Sequence, residues 1–102
     1  ANMYAMFYYT SAFNQPIGNW NVSNVTNMSY MFFNASSFNQ PIGNWDVSSV
    51  TDMGYMFSYA TSLNQDISNW NVSKVEDMQG MFFKCSIFNK DLCTSCLATR
   101  AL

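Results

Sequence analysis

Apolar residues recur along this chain in an order that returns every 25 positions. In the stretch 38–62 they fall at Phe38, Ile42, Trp45, Val47, Val50, Met53, Met56, Phe57 and Ala60, with polar residues between them. Trp45-Asp46-Val47 alternates as a short strand does, and from Val50 onward the spacing of three, three and one is helical. Each unit therefore reads as a short strand followed by about two to three turns of helix.

Three full copies lie end to end at 13–37, 38–62 and 63–87, marked by Trp20, Trp45 and Trp70, and the first two agree at 18 of 25 positions without a gap. A fixed period of this length predicts an α/β solenoid, in which no unit buries its apolar face without a neighbour. Asn2, Met3, Met6 and Phe7 align with Asn27, Met28, Met31 and Phe32, so the chain opens in mid-repeat and reads as a segment of a longer protein. The repeat region spans 1–92, and 93–102 is expected to be a C-terminal cap or tail.

Stacking in register predicts ladders of equivalent residues at about 4.8 Å, the spacing of adjacent parallel strands. Phe13, Phe38, Leu63 and Phe88 make one, the three tryptophans a second, and Met28, Met53 and Met78 a third. Asn14, Asn39, Asn64 and Asn89 make a polar ladder of buried amides bonded to backbone and to the next coil. Ser23, Ser48 and Ser73 precede the helical pattern, and Ser73-Lys74-Val75-Glu76 has capping-box form, so these serines are expected to cap helices. Asp46, Asp52 and Asp77 stand where other copies carry Asn21 or Asn27, an interchange that points to hydrogen-bonding turns or caps. Pro16 and Pro41, followed by Gly18 and Gly43, mark a turn that the third copy makes with Asp66 and Ser68.

Composition narrows the function. The 102 residues are 49% hydrophobic and 18% aromatic, enough for a continuous core, while 10% are charged and the net charge is −2. A nucleic-acid binder's basic footprint is missing. No histidine is present, the acidic residues are scattered, and no nucleophile, base and orienting group recur together, so no enzyme, cofactor or metal site is expected. The eight methionines read as core filler at helical spacing. No apolar run reaches the roughly 18 residues of a membrane helix.

The string W-x-V-S-x-V-T-x-M-x-x-M-F followed by A-x-x-F-N-Q resembles the BspA-type leucine-rich repeat, a bacterial surface-protein repeat of about 25 residues also found in protozoa and microalgae. The resemblance covers residues 2 to about 92. It implies a leucine-rich-repeat-like right-handed coil, a cell-surface or secreted setting, and adhesion or protein–protein interaction; no catalytic residues carry over. The pattern yields after Phe88 to NKDLCTSCLATRAL, with Ser95 at the expected Trp position.

Cys85 takes the place of Thr10, Ala35 and Ala60, where the repeat wants a small buried residue. Cys93 and Cys96 form a C-x-x-C outside the repeat, open to three readings: a capping disulfide, half of a zinc site, or a redox pair. The disulfide is favoured, with pairing undecided among Cys85, Cys93, Cys96 and an external partner. Zinc cannot be completed within the chain, and a redox motif belongs to a βαβ context. Asn21, Asn24, Asn27, Asn34 and Asn71 begin N-x-S/T, which the repeat's turn chemistry alone accounts for; Asn34 is the one expected to face solvent.

Positions that vary between copies are those the coil does not need. They are Tyr4/Ser29/Gly54/Gln79, Tyr8/Phe33/Ser58/Phe83, Tyr9/Asn34/Tyr59/Lys84 and Asn24/Ser49/Lys74. Tyr8, Tyr9, Phe33, Tyr59 and Phe83 are the candidate interface, an apolar strip at the helix end, set against the alternative that they pack under a loop or flanking coil. The leading expectation is a non-enzymatic protein-interaction module of surface or adhesion type. A structural or accessory subunit of a larger assembly, including an organellar one, is the alternative, with another subunit covering an open end of the solenoid. A flat ice- or polysaccharide-binding face is disfavoured, because the strand ladder is Asn21/Asp46/Asn71 with serines.

Overall fold

The computed structural model describes residues 1–85. Within them the nine apolar positions of 38–62 are all buried, together with their counterparts Ile17, Val22, Val25, Met28, Met31, Phe32 and Ala35 before them and Leu63, Ile67, Trp70, Val72, Val75, Met78 and Met81 after them. The aromatic members stack through the interior. Phe32 lies parallel to Phe57 with centroids 5.5 Å apart, and Phe57 continues to Phe82 at 5.7 Å.

The backbone that carries this core is not the expected one. Among the described residues there is no helix, and regular pairing is confined to the isolated parallel bridges Asn2–Asn27, Asn27–Asp52 and Asp52–Asp77. No strand forms at Trp45–Val47. The chain folds into a compact body with a radius of gyration of 12.0 Å, close to the ~13 Å of a globular chain of about 100 residues, and not into an α/β solenoid. No helix is long and apolar enough to cross a membrane among these residues.

What replaces the helix is a run of tight turns. In 13–38 the closing bonds are Trp20 N–H to Ile17 O, Val25 to Val22, Met31 to Met28, Phe33 to Tyr30, Ala35 to Phe32 and Phe38 to Ala35, each spanning three residues. The apolar spacing of three thus marks the two ends of most of these turns, both buried except at Trp20 and in the Tyr30–Phe33 turn. A left-handed residue stands third in two of these turns: Tyr30 (φ 58°) between Met28 and Met31, and Asn34 (φ 58°) between Phe32 and Ala35. A positive φ there is what a type II turn requires and what an α-helix cannot contain. The same two columns are left-handed throughout: Ala5, Tyr30, Tyr55 and Gly80 in one, Tyr9, Asn34, Tyr59 and Lys84 in the other.

Successive 25-residue loops lie on one another through hydrogen bonds. Met28, Tyr30, Phe32 and Asn34 donate N–H groups to the carbonyls of Asp52, Gly54, Met56 and Ser58 at 2.8–3.0 Å, and the pattern recurs one loop earlier and one later. On the far side donation runs from the later loop to the earlier. Asn39 N–H meets Asn14 Oδ1 at 2.9 Å, Gln40 Nε2 meets Asn14 O at 3.1 Å, and Trp45 Nε1 meets Ile17 O at 3.1 Å. The asparagine ladder is therefore present through Asn64, but Asn14 and Asn39 are exposed rather than buried. Asn89 and Phe88 lie outside the described residues. Trp45 and Trp70 stack at 6.5 Å and are each 4% exposed, whereas Trp20 is 38% exposed.

With no helices among the described residues, the serines cap none. The Oδ1 atoms of Asn21, Asp46 and Asn71 accept the N–H of Ser23, Ser48 and Ser73, two residues on, and those of Asn27, Asp52 and Asp77 do the same for Ser29, Gly54 and Gln79. One oxygen acceptor suffices for such a turn, so Asn and Asp interchange. The Ser48 bonds hold the Asp46 carboxyl below its ordinary range.

Candidate interaction surface

The two left-handed columns and the column at Tyr8, Phe33, Ser58 and Phe83 rise side by side along the stack, and their rings form one continuous exposed ridge. Tyr8 stacks on Phe33 at 5.2 Å and Tyr30 on Tyr55 at 5.2 Å. Tyr59 stands across Phe33 at 5.7 Å (63°) and across Phe83 at 5.6 Å (82°). Tyr4 meets Tyr30 edge-on at 5.9 Å.

Of the expected interface residues, Tyr8, Tyr9 (57%), Tyr59 (39%) and Phe83 (50%) are exposed. Phe33 is half-buried because it is the hub of the ridge, touching Tyr8, Tyr9, Tyr30 and Tyr59. Tyr4, Tyr30 and Tyr55 belong to the same surface; Tyr4 stood among the variable positions but outside the expected strip, and Tyr30 and Tyr55 were in neither. Tyr30 and Tyr55 occupy a column that looks invariant between the first two copies, which concealed them. Asn34, expected at the surface, is half-buried in the gap between Tyr9 and Tyr59.

The ridge is nearly uncharged. Its side-chain cation is Lys84, whose Nζ lies 5.7 Å from the Phe83 ring centre. None of the hydroxyls of Tyr4, Tyr8, Tyr9, Tyr30, Tyr55 and Tyr59 bonds to an acceptor among the described residues. Partial desolvation, and then the neighbouring phenols of Tyr55, Tyr4 and Tyr8 with the Asp52 carboxylate, raise the Tyr30 phenol above its ordinary pKa. The Tyr55 ring rests on Gly80: a Cβ there would sit 2.5 Å from Tyr55 Cε1.

Outside the ridge, Met6 and Trp20 are the other exposed large apolar side chains among the described residues. A shallow open groove of about 330 Å³ runs along the Pro-Gly turns, lined by Gly18, Asn19, Pro41, Gly43, Asn44, Gln65 and Asp66. No three His, Cys, Asp or Glu side chains gather closely enough to hold a metal among the described residues. Cys85 packs partly buried against the core as a free thiol whose S–H donates to Phe57 O at 2.7 Å, and burial pushes its pKa up to about 11. Cys93 and Cys96, and with them the proposed capping disulfide and the 93–102 tail, lie outside the described residues.

Compared with known proteins, residues 1–95 match the model of a family described as Mycoplasma protein of unknown function, DUF285. No curated protein and no solved structure matches the chain.

Proposed function

The chain belongs to the DUF285 family of proteins of unknown function, and from that premise we propose that it is a non-enzymatic protein-binding module that engages its partner through the tyrosine ridge. The observation that carries the reading is the left-handed backbone at Tyr9, Tyr30, Tyr55 and Tyr59. A side chain with a Cβ costs about 1–2 kcal/mol in that conformation relative to its ordinary one, and glycine or asparagine fill it more cheaply. The repeat uses both elsewhere in the same columns, as Gly80 and Asn34. Tyrosine at the other sites is a standing cost that folding does not require, and backbone strain of this kind concentrates where a protein binds. Tyrosine also suits an interface, since it offers large contact area at low rotamer entropy together with a hydroxyl. The resemblance of the repeat to that of BspA-type surface proteins supports a cell-surface or secreted setting.

The test replaces ridge residues by those that other loops carry in the same columns. Tyr59→Asn copies Asn34 and Phe83→Ser copies Ser58, so the backbone already accepts both. The double variant should keep its melting temperature and lose adhesion of cells displaying the full-length protein. Unchanged adhesion by a folded variant would overturn the reading.

A further inference from the structure

The relief of the ridge narrows what it takes, an inference that rests on the ridge being the binding surface. Sugars bind aromatic residues on open ring faces, but here the faces turned along the stack are covered by their neighbours. Tyr30 and Tyr55 lie 21° from parallel and Tyr8 and Phe33 24°. Tyr59 stands across both Phe33 and Phe83, so the outward surface is a series of clefts between ring edges. Charge is scarce, with Lys84 at one end of the ridge. Few charges stand near the rings, and the phenol hydroxyls of exposed Tyr4, Tyr8, Tyr9 and Tyr59 can donate, which suits a neutral ligand that presents carbonyl acceptors.

The spacing of the rings adds a length. In the Tyr9/Asn34/Tyr59/Lys84 column, tyrosine stands on alternate loops, and Tyr9 and Tyr59 are well exposed. Two loops at the parallel-strand spacing rise about 9.6 Å. A polyproline II helix repeats every three residues, or about 9.3 Å, makes no internal hydrogen bonds and leaves its carbonyls open to donors. Aromatic-lined grooves are the usual docking site of such helices.

We propose that the ridge binds a proline-rich segment in the polyproline II conformation, laid along the stack with every third residue in register with alternate loops, against Tyr9 and then Tyr59. Tyrosine hydroxyls donate to its backbone carbonyls, and proline rings enter the clefts beside Tyr59.

The probe is a capped (Ala-Pro-Pro)4 peptide titrated into the full chain by calorimetry, beside a peptide of the same composition with the three-residue period scrambled and beside a neutral hexasaccharide. The periodic peptide should bind saturably and at least about tenfold more tightly than the scrambled one, and Tyr59→Asn should weaken it about tenfold without lowering the melting temperature. Equal binding of the two peptides, or binding of neither, overturns the proposal, as does binding of the hexasaccharide in their place. If the proposal fails while the Tyr59→Asn/Phe83→Ser variant still loses adhesion, the ridge remains the binding surface for another ligand. If adhesion is also unaffected, both readings fall.

Discussion

Replacing Gly43 by alanine tests the claim that the loops are held at a distance set by backbone contact. Gly43 has an ordinary φ, so alanine meets no conformational penalty, and the whole effect comes from where its methyl group would go. That position is 2.5 Å from the carbonyl oxygen of Asp66 in the next loop, about 0.9 Å inside ordinary contact, and the obstacle is backbone. Relieving it parts the two loops beside the bonds from Trp70 Nε1 to Ile42 O at 3.0 Å and from Asn64 N–H to Asn39 Oδ1 at 2.9 Å. Overpacking of this sort costs about 1–3 kcal/mol, offset in part by the 0.4–1 kcal/mol that glycine-to-alanine returns through the unfolded chain. Taking the middle of each range, the net loss of about 1.3 kcal/mol corresponds to a fall in melting temperature of roughly 5–10 °C for a domain near this size. Gly54→Ala is the internal control. The nearest atoms to a Cβ there are side-chain ones, the Asp52 and Asp77 carboxylate oxygens at 3.3 and 3.4 Å and the Asp77 carboxyl carbon at 3.5 Å, and Ser29 already fills the position one loop earlier. Thermal unfolding followed by tryptophan fluorescence should separate the two variants clearly. A Gly43→Ala protein that melts with the Gly54→Ala protein would refute the close-approach argument.

Further outcomes follow from the same contacts. Trp70→Phe removes the indole donor to Ile42 O inside the core and should cost about 2–3 kcal/mol in urea unfolding, whereas Trp20→Phe, at an exposed site, should cost under about 1 kcal/mol. Cys85 should alkylate slowly at pH 8 in a Cys93→Ser/Cys96→Ser background and rapidly once urea unfolds the chain. Because its pKa rises from 9.0 to about 11 on folding, the thiol's contribution to stability is complete below about pH 9 and is lost as pH climbs through about 11. A Cys85→Ala variant with the same alkaline unfolding profile would sink that assignment.

The sequence exposed the core but misassigned the backbone beneath it. Every apolar position picked out in 38–62 is buried, because burial depends only on which residues face inward. The helix was misread because Val50, Met53 and Met56 are three apart, a spacing that suits a helical face and the two ends of a tight turn equally well: Met53 and Met56 close one turn, and Val50 closes another with Val47, which reads as strand along the chain. Tyrosine is not a turn-forming residue, so Tyr30 and Tyr55 gave no sign of a left-handed backbone when read along the chain. Read down the repeat columns, they share a position with Gly80, and Tyr9 and Tyr59 share one with Asn34. Those two residue types tolerate positive φ best, and that was the available signal. The Asn/Asp exchange was legible because both oxygens serve the same turn, and the ridge was partly legible because its columns vary.

The opposed directions of the bonds between loops bear on how such an array behaves electrically. On the ridge side, the N–H groups of Met28, Tyr30, Phe32 and Asn34 point toward the later loop; those of Thr26, Thr51 and Glu76, and on the far side the donors Asn39 N, Gln40 Nε2 and Trp45 Nε1, point back toward the earlier one. An α-helix aligns its peptide dipoles and gathers partial charge at its ends. Here the bonds between loops run in both directions, so the peptide dipoles along the ridge are partly countered by the donors that point the other way. An array bonded this way gathers less partial charge at its ends than an α-helix of the same length would, and the formal charges acting on the ridge include those of Lys84 and Asp52.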